Sequence, residues 1–386
     1  MKKLYLKDYV YLMFLLSFLC LSFSMAMSYI FSAVGIFLAI ISIVKTRNKS
    51  FSIEKTAYFL IIILPFIFTI ISTLYTENSN LYRIEKLIFF VLTVFAILFL
   101  ENRNSLSNNK ILLYFAYSTI AIYVISIISG LFYYSKTGFF FEYKYANDFL
   151  NIQHNYLSIY GVFSCYILLV DMFKKNKKKR YLLNTFFILL IIGFIILISS
   201  RFAIILLIFL FFIFSFLNIK NKIYTLISIL FAGIIFLILF FSTNTLERFE
   251  KLMVEDRSPR YSIWRCSIKI INDEVSFLKG LGPSNVQEKI DECLIENGRK
   301  YWVGLHSHNQ IMGYILAFGY LPTFIIIFVF LHFLYLALKF RNYDFLIFLI
   351  IIITFGFTEN YMMRRYGIFF YGFFISLFVK NIKTLS

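Results

Sequence analysis

Residues 306–310 read His-Ser-His-Asn-Gln and close a long polar stretch directly before an apolar run. A neutral imidazole is one of the few side chains that can take a proton at ambient pH, so a histidine here could act as a general base. Ser307, followed three positions later by Gln310, predicts a capping box with Ser307 as the N-cap and His308 as the first helical residue. The positive end of the helix dipole would keep His308 neutral and attract anions. The alternative is a histidine at an ordinary aqueous helix start.

An arginine at the end of an apolar run could bind such an anion. Arg201 ends the sequence Ser-Ser-Arg, and almost no loop separates the apolar runs on its two sides. This arrangement would hold Arg201 rigidly at the membrane interface, where it suits phosphate recognition. The alternative is an arginine that anchors the helix by snorkelling to lipid headgroups.

A second arginine, Arg260, opens a stretch with helical spacing, residues 260–271. At about 100° per residue, Arg260 shares one face with Tyr261, Trp264, Ile268 and Ile271. We expect this face to turn toward the membrane helices, where an unpaired guanidinium is costly. A pyrophosphate would satisfy Arg260 with bidentate hydrogen bonds. The alternatives are snorkelling to headgroups or an ion pair with Glu255 or Asp256.

Metal binding, a disulfide and a phosphate loop can each be weighed on this sequence. His306 and His308 could form half of a zinc site, but no compact Cys, His or carboxylate set completes it, so the sequence predicts no metal. Cys266 and Cys293 fit a disulfide and two free thiols about equally well. Residues 280–283, Gly-Leu-Gly-Pro, fit neither a Walker nor a dinucleotide loop, and a connecting turn is favoured over a phosphate cradle.

The elements that position these residues are apolar helices. The chain has 386 residues, of which 60% are hydrophobic and 15% charged. Its apolar runs reach or approach the roughly 20 residues that cross a bilayer, which predicts an all-α polytopic membrane protein with about 12 transmembrane helices. The predicted runs are 9–25, 28–44, 57–75, 87–100, 111–133, 155–172, 181–199, 202–218, 224–242, 309–333, 343–357 and 367–379. We interpret the first run as a retained helix and not as a signal peptide.

Charge distribution predicts the orientation. With both termini in the cytoplasm, 21 of the 38 basic residues face that side, and most of the others lie in the insert 243–308. The positive-inside rule then places this insert outside, as one large periplasmic loop packed on the bundle. Three parts follow: transmembrane helices 1–9 (1–242), the loop (243–308) and helices 10–12 (309–386). The net charge of +18 therefore reflects topology and not a nucleic-acid surface.

The middles of the predicted spans contain no Asp, Glu, Lys or Arg. Ion-coupled transporters usually need ionisable groups at membrane depth, so this pattern counts against a polyprenyl-glycan flippase or another transporter. The cationic outer rim instead suits an anionic lipid whose phosphates lie at the interface.

The order of motifs resembles the O-antigen ligase and polymerase superfamily of membrane glycosyltransferases. The similar features are Ser-Ser-Arg201 between two spans, then an outer loop with Arg260, Trp264 and residues 280–282, then His308-Asn309 with nine residues before Gly319. The resemblance covers about 180 residues and extends more weakly to residues 65–78, 154–156, 358–360 and 365–367. This chain has His154-Asn155 where family members often have His-Pro, so no role is assigned to His154.

The resemblance implies a GT-C-like fold and a metal-independent, inverting glycosyl transfer that needs no cofactor. His308 would be the catalytic base, while Arg201 and Arg260 would bind the donor pyrophosphate. Supporting roles fall to Trp264, Arg265, His306, Asn309, Glu359 and Arg365. The donor would be a glycan linked to polyprenyl pyrophosphate in the inner (cytoplasmic) membrane, with the active site facing the periplasm.

The acceptor distinguishes two activities within this class. A ligase uses the lipid A core of lipopolysaccharide, whereas a polymerase extends another lipid-linked glycan. We favour the ligase, because the single large insert precedes the His-Asn helix and only a modest outer loop precedes the sixth span. Membrane lipid is a partner in either case, and nucleic acid is not.

Overall fold

The computed structural model describes residues 5–21, 24–46, 52–76, 82–100, 107–138, 152–174, 178–198, 200–217, 230, 233 and 259–382. Within these ranges the regular structure is helical and contains no strand. The α-helices are α1 (Leu6–Cys20), α2 (Met25–Lys45), α3 (Ile53–Ile62), α4 (Leu64–Leu74), α5 (Tyr82–Leu98), α6 (Asn108–Thr137), α7 (His154–Lys174), α8 (Lys178–Leu197), α9 (Arg201–Leu217), α10 (Pro259–Glu274), α11 (Asn285–Glu296), α12 (Gln310–Phe318), α13 (Tyr320–Lys339), α14 (Tyr343–Gly356) and α15 (Arg365–Lys380). Short 3-10 helices occupy Lys300–Trp302 and Tyr361–Met363.

The all-helical prediction is confirmed for the described residues. Every predicted apolar run overlaps a described helix except 224–242, which lies almost entirely outside the described residues. In the part of the chain that the structure describes, five helices are long and apolar enough to cross a membrane, and a sixth crossing results if the bent pair α3 and α4 is one span. The count of twelve spans and the periplasmic position of residues 243–308 stay predictions.

Two predicted runs are interrupted. The run 57–75 bends by 55° between α3 and α4, where Pro65 lacks the amide hydrogen that an unbroken helix would use. The prediction of one helix over 309–333 is wrong, because Gly319, at φ 93°, separates α12 from α13. Helix α12 has nine residues and is therefore about 13 Å long. Of the two helices α12 and α13, only α13 is long enough to span a bilayer.

The chain forms two compact units. The first comprises Met1–Lys45 and Arg103–Thr243. In this unit α1 packs on α2 and α6, and α7 packs on α6, α8 and α9. The Ser17 hydroxyl lies 2.8 Å from the Ser28 hydroxyl and 2.7 Å from that of Ser32. Such pairing satisfies hydroxyl groups that lipid cannot hydrogen-bond.

The second unit comprises Thr46–Asn102 and Asn244–Ser386. Helix α15 packs on α5, and α12 contacts α4, α10, α11 and α13. The described part of the polar insert, residues 259–308, therefore folds onto this group of helices. The division into the parts 1–242, 243–308 and 309–386 stays a prediction.

A disulfide joins the two helices of the insert. Cys266 on α10 is bonded to Cys293 on α11, with 5.8 Å between their Cα atoms. The structure thus contains the bonded form of the two that the sequence allowed. The bond holds α10 and α11 together beside α12.

Removing the disulfide should lower stability. A Cys266→Ser/Cys293→Ser protein frees a loop whose ends are 27 residues apart, for which chain entropy predicts a loss of about 3 kcal/mol. Thermal unfolding in detergent measures the change, and Cys20→Ser, which replaces a free thiol, is the matched control. Equal melting temperatures for wild-type and double-serine proteins would contradict this expectation.

Candidate functional site

The buried face of α10 differs from the predicted one. Its buried residues are Ile263, Cys266, Ser267, Ile270 and Ile271. The predicted face is partly wrong, because Tyr261 and Ile268 are exposed whereas Ile271 is buried. Arg260 and Trp264 do turn toward the rest of the second unit, where Arg260 contacts Glu359 and Trp264 donates a hydrogen bond to the backbone. The disulfide explains the difference, because it turns the side of α10 that carries Cys266 toward α11.

Arg260 lies at the start of α10 and faces a buried carboxylate. Its Nη2 lies 3.7 Å from Glu359 Oε1; the Arg260 side chain is 42% exposed and that of Glu359 only 1%. Arg260 therefore has a protein partner and supplies part of the compensation that the buried Glu359 carboxylate requires. The partner is Glu359, whereas Glu255 and Asp256 lie outside the described residues. The exposed part of the Arg260 guanidinium remains accessible to a ligand.

The residues before α12 do not form the predicted capping box. Asn309, not Ser307, is the N-cap, and its side-chain oxygen accepts hydrogen bonds from the Ile311 and Met312 amides. Asparagine and serine are comparable N-caps, so the local sequence is compatible with either helix start. His308 consequently lies before the helix, in the left-handed region at φ 47°. The prediction that His308 is the first helical residue is wrong.

The carboxylate of Glu359 lies close to both histidines. Its Oε1 lies 3.3 Å from His308 Nδ1, and its Oε2 lies 3.9 Å from His306 Nε2. Burial alone would raise the pKa of Glu359, but the His308 hydrogen bond and the charges of His308, His306 and Arg260 hold that pKa below its usual value. The carboxyl group is therefore ionised at neutral pH and acts as an acceptor.

An ionised carboxylate fixes the proton of its histidine partner. Because Glu359 can only accept, Nδ1 of a neutral His308 carries the proton in this contact and Nε2 keeps its lone pair. A histidine held this way by a carboxylate can take a proton from a hydroxyl at Nε2. The geometry thus supplies the tautomer that a general base needs.

His306 is held in the other tautomer. Its Nδ1 accepts a hydrogen bond from the His308 backbone amide at 3.2 Å, so its proton lies on Nε2, toward Glu359. Burial lowers the pKa of His306 to about 4, and the charges of His308, Arg364 and Arg260 act in the same direction. His306 is therefore uncharged at neutral pH and does not serve as a cation for phosphate.

The lowered pKa of His306 predicts that the folded protein loses stability in acid. Between pH 6.5 and about 4 the unfolded His306 binds a proton and the folded one does not, so stability is complete above pH 6.5 and falls as the pH drops through this window. The full effect is about 3 kcal/mol. Melting temperatures measured from pH 7.5 to 4.5 should fall less steeply for His306→Gln than for the wild type. Parallel curves would contradict this origin of the acid sensitivity.

The loop that carries the histidines is fixed by α10 and α11. Asp291 Oδ1 accepts hydrogen bonds from the Gln287 side chain and the Gly304 amide, and Gln287 also donates to the Leu305 carbonyl. The Trp264 indole donates to the Ser307 carbonyl at 2.8 Å. The supporting role expected for Trp264 is thus a hydrogen bond to the backbone between the two histidines.

The Gly-Leu-Gly turn supports the far end of α12. The amides of Leu281 and Gly282 donate to the Leu316 and Ala317 carbonyls at 2.7 and 3.0 Å. A Cβ on Gly280 would lie 2.5 Å from the Ala317 carbonyl carbon, so only glycine fits this approach. These two amides are therefore used to cap a helix C-terminus, which agrees with a connecting turn.

A cavity of about 300 Å³ opens beside His306 in the second unit. Its polar lining includes Gln287, His306, Gln310, Asn360 and Arg364, and its apolar lining includes residues of α4, α5, α12 and α15. The Gln310 side chain accepts a hydrogen bond from the Met362 amide at 2.9 Å, which joins α12 to the turn that follows Glu359.

The remaining predicted site residues fall in different places. Arg265 is exposed on α10 and Arg365 is the first residue of α15. Arg201 is the first residue of α9, in the first unit, whereas Arg260 and His308 belong to the second. A shared site for Arg201, Arg260 and His308 stays a prediction.

Sequence reasoning missed three cavity residues, namely Gln287, Asn360 and Arg364. Asn360 belongs to the weakly similar segment 358–360, and no sequence motif assigns a role to Arg364. The signal that could have identified Arg364 is its place four residues after Asn360 and directly before Arg365.

One cluster has the ligand types of a metal site. One ligand atom from each of His306, His308 and Glu359 lies within 4.8 Å of the others. The expectation that no carboxylate completes the histidine pair is wrong, because Glu359 folds back from 51 residues beyond His308. Arg260 contacts the same carboxylate, however, and repels a second cation there.

A comparison with known families matches part of this chain. Residues 185–328 match the family model described as O-antigen ligase. The matched segment contains Arg201, Arg260 and His308 and confirms the resemblance to the O-antigen ligase and polymerase superfamily. Together with the apolar helices, it identifies a multi-pass membrane protein related to membrane glycosyltransferases. No curated protein matches the chain.

Proposed function

We propose that this protein is an O-antigen ligase-type glycosyltransferase. It moves a glycan from polyprenyl pyrophosphate to a lipid A core acceptor at the outer face of the inner membrane. Both termini lie in the cytoplasm, and residues 243–308 lie in the periplasm. The family match supports the enzyme class, and the contact between His308 and Glu359 is the observation that carries the chemistry.

The proposed reaction begins at the acceptor hydroxyl. His308 Nε2 takes the hydroxyl proton as the oxygen attacks the anomeric carbon of the donor, and Glu359 stabilises the imidazolium that forms. The bond between the anomeric carbon and the pyrophosphate oxygen breaks, and the electron pair leaves with the pyrophosphate. Attack from the face opposite the leaving group inverts the anomeric configuration.

Arginine residues bind the leaving group in this proposal. Arg260 offers the exposed part of its guanidinium beside the histidines, and Arg201 supplies a second guanidinium from α9. Fixed positive charges stabilise the charge that grows on the leaving oxygen, which is the work that a metal ion performs in other enzymes of this kind. No metal step is needed.

The activity should require only the two lipid-linked substrates. Protein reconstituted in liposomes with polyprenyl-pyrophosphate-linked glycan and lipid A core should form product without nucleotide, divalent ion or ion gradient, and chelator should not change the rate. Product is measured as the glycan-bearing acceptor. Loss of activity in chelator, restored by a divalent ion, would contradict the metal-independent mechanism. Movement of glycan across the bilayer without product would contradict the enzyme.

Varying the acceptor in this experiment distinguishes a ligase from a polymerase. The same liposomes are prepared with lipid A core in one sample and a second lipid-linked glycan in the other. Transfer to lipid A core supports the ligase, whereas extension of the lipid-linked glycan alone shows a polymerase.

A further inference from the structure

The cavity beside His306 contains a buried acceptor that the proposed chemistry does not use. Asn360 lines the cavity and is 3% exposed. Its Oδ1 is buried and has no hydrogen-bond partner among the described residues. A buried acceptor without a partner is costly, and most such groups in folded proteins are satisfied. At the wall of a cavity, this open acceptor is available to a hydrogen-bond donor of a bound ligand.

Close packing holds Asn360 in this position. A Cβ on Gly313 of α12 would lie 2.4 Å from Asn360 Nδ2, so the amide lies against a surface that only glycine leaves open. Glu359, the preceding residue, is itself held by His308 and Arg260. The position of the Asn360 side chain is therefore tied to that of the proposed catalytic pair.

The Asn360 oxygen favours a ligand group that donates a hydrogen bond, and the cavity as a whole is of mixed polarity, with Arg364 also in its lining. An amide oxygen accepts hydrogen bonds and repels phosphate, so a hydroxyl or an N–H is its natural partner. On the apolar side, the rings of Tyr314 and Phe318 stack with centroids 5.6 Å apart and line the same cavity. Apolar walls with a few placed polar groups are typical of a small-molecule subsite.

We propose that this cavity binds one sugar ring of the glycan substrates and that Asn360 Oδ1 accepts a hydrogen bond from a hydroxyl or amide N–H of that ring. The inference rests on the proposed function and names the subsite within it. His306 lines the cavity, and its ring centroid lies 4.1 Å from that of His308. A sugar bound in the cavity is thus next to the proposed base. It belongs either to the donor or to the acceptor.

Asn360→Leu tests the assignment because it removes the acceptor at nearly constant size. We expect the KM of the substrate that occupies the cavity to rise about 10-fold or more, with kcat within about 3-fold of wild type. Asn360→Asp keeps acceptor oxygens and should lose less. Titrating the donor at fixed acceptor, and then the reverse, shows which substrate's sugar enters the cavity.

Ser267→Ala is the matched control. Ser267 Oγ is also buried without a hydrogen-bond partner among the described residues, but Ser267 lies on α10 and does not line the cavity. Its replacement should leave both KM values unchanged. Asn360→Leu should not lower the melting temperature without substrate, because it removes an unsatisfied polar atom. Unchanged KM values with a lowered melting temperature would show a structural role and overturn the inference.

A binding measurement separates this inference from the proposed function. The chain has two tryptophans, so Trp302→Phe leaves Trp264 as the fluorescent reporter beside the histidine loop. In that background, lipid-linked glycan and lipid A core, purified from cells that make them, are each titrated in nanodiscs with and without Asn360→Leu. If the wild-type protein binds a substrate but transfers no glycan, and Asn360→Leu weakens that binding, the proposed function is wrong and the sugar site stands. Transfer with unaltered KM values in Asn360→Leu removes the sugar site alone. Neither binding nor transfer by wild type overturns both.

Discussion

His308→Ala should abolish most glycan transfer while leaving donor binding nearly unchanged. The substitution removes the Nε2 lone pair that takes the acceptor proton, and general base catalysis typically contributes about 10²–10⁴ in rate. Arg260 and Arg201, which are proposed to bind the donor, are untouched. Single-turnover transfer, measured with saturating donor and acceptor, isolates this step from binding.

His332→Ala is the control for the loss of an imidazole. His332 lies on α13, where its ring stacks on Tyr58, and it is not part of the cluster around Glu359. This variant should transfer glycan at the wild-type rate. If His308→Ala also transfers at that rate, His308 is not the base. If its donor binding falls together with its rate, His308 acts by binding and not by proton transfer.

Glu359→Gln should reduce the transfer rate by about 10²–10⁴. Glutamine has nearly the same shape, but its amide can donate to His308 Nδ1 and so stabilise the tautomer with the proton on Nε2. It also removes the negative charge that stabilises imidazolium and pairs with Arg260. We therefore expect a fall in kcat at saturating substrate. Glu296→Gln, at an exposed ion pair with Lys269, is the matched control and should have wild-type kcat.

The two substitutions should not be additive. If Glu359 acts through His308, the double variant His308→Ala/Glu359→Gln should be about as slow as His308→Ala alone, because groups that act as a unit are lost together. A further loss of similar size in the double variant would show that Glu359 has a separate role, such as positioning Arg260. The comparison uses the same single-turnover assay.

Much of the helical framework follows from the sequence, because apolar runs of the right length have few alternatives to a helix. The approximate positions of α6, α7 and α8 are examples. The residues of the charged cluster could also be named: helical spacing singles out Arg260, the border of an apolar run singles out His308, and the family resemblance adds Glu359. Their mutual contact could not be derived, because no local pattern joins His308 to a carboxylate 51 residues further on.

Errors occurred where two local signals competed. Ser307 and Asn309 are both good N-caps, and the choice between them decides whether His308 is helical. The face of α10 was assigned from its aromatic residues, but the covalent bond at Cys266 turns a different side toward α11. The apolar run 309–333 predicts one continuous helix, whereas the positive φ of Gly319 ends α12. In each case a tertiary contact selects among conformations that the local sequence allows equally.

Helix α12 is fixed at both ends, by Asn309 before it and by the amides of Leu281 and Gly282 after it. This has a consequence for how related chains can diverge in length. One residue inserted within α12 would rotate its far end by about 100° and turn the receiving carbonyls away from those amides. The turn around Tyr301, which is 96% exposed, caps neither end of α12. Natural relatives with this arrangement should therefore keep the spacing from Asn309 to Gly319 and accumulate insertions and deletions near Tyr301.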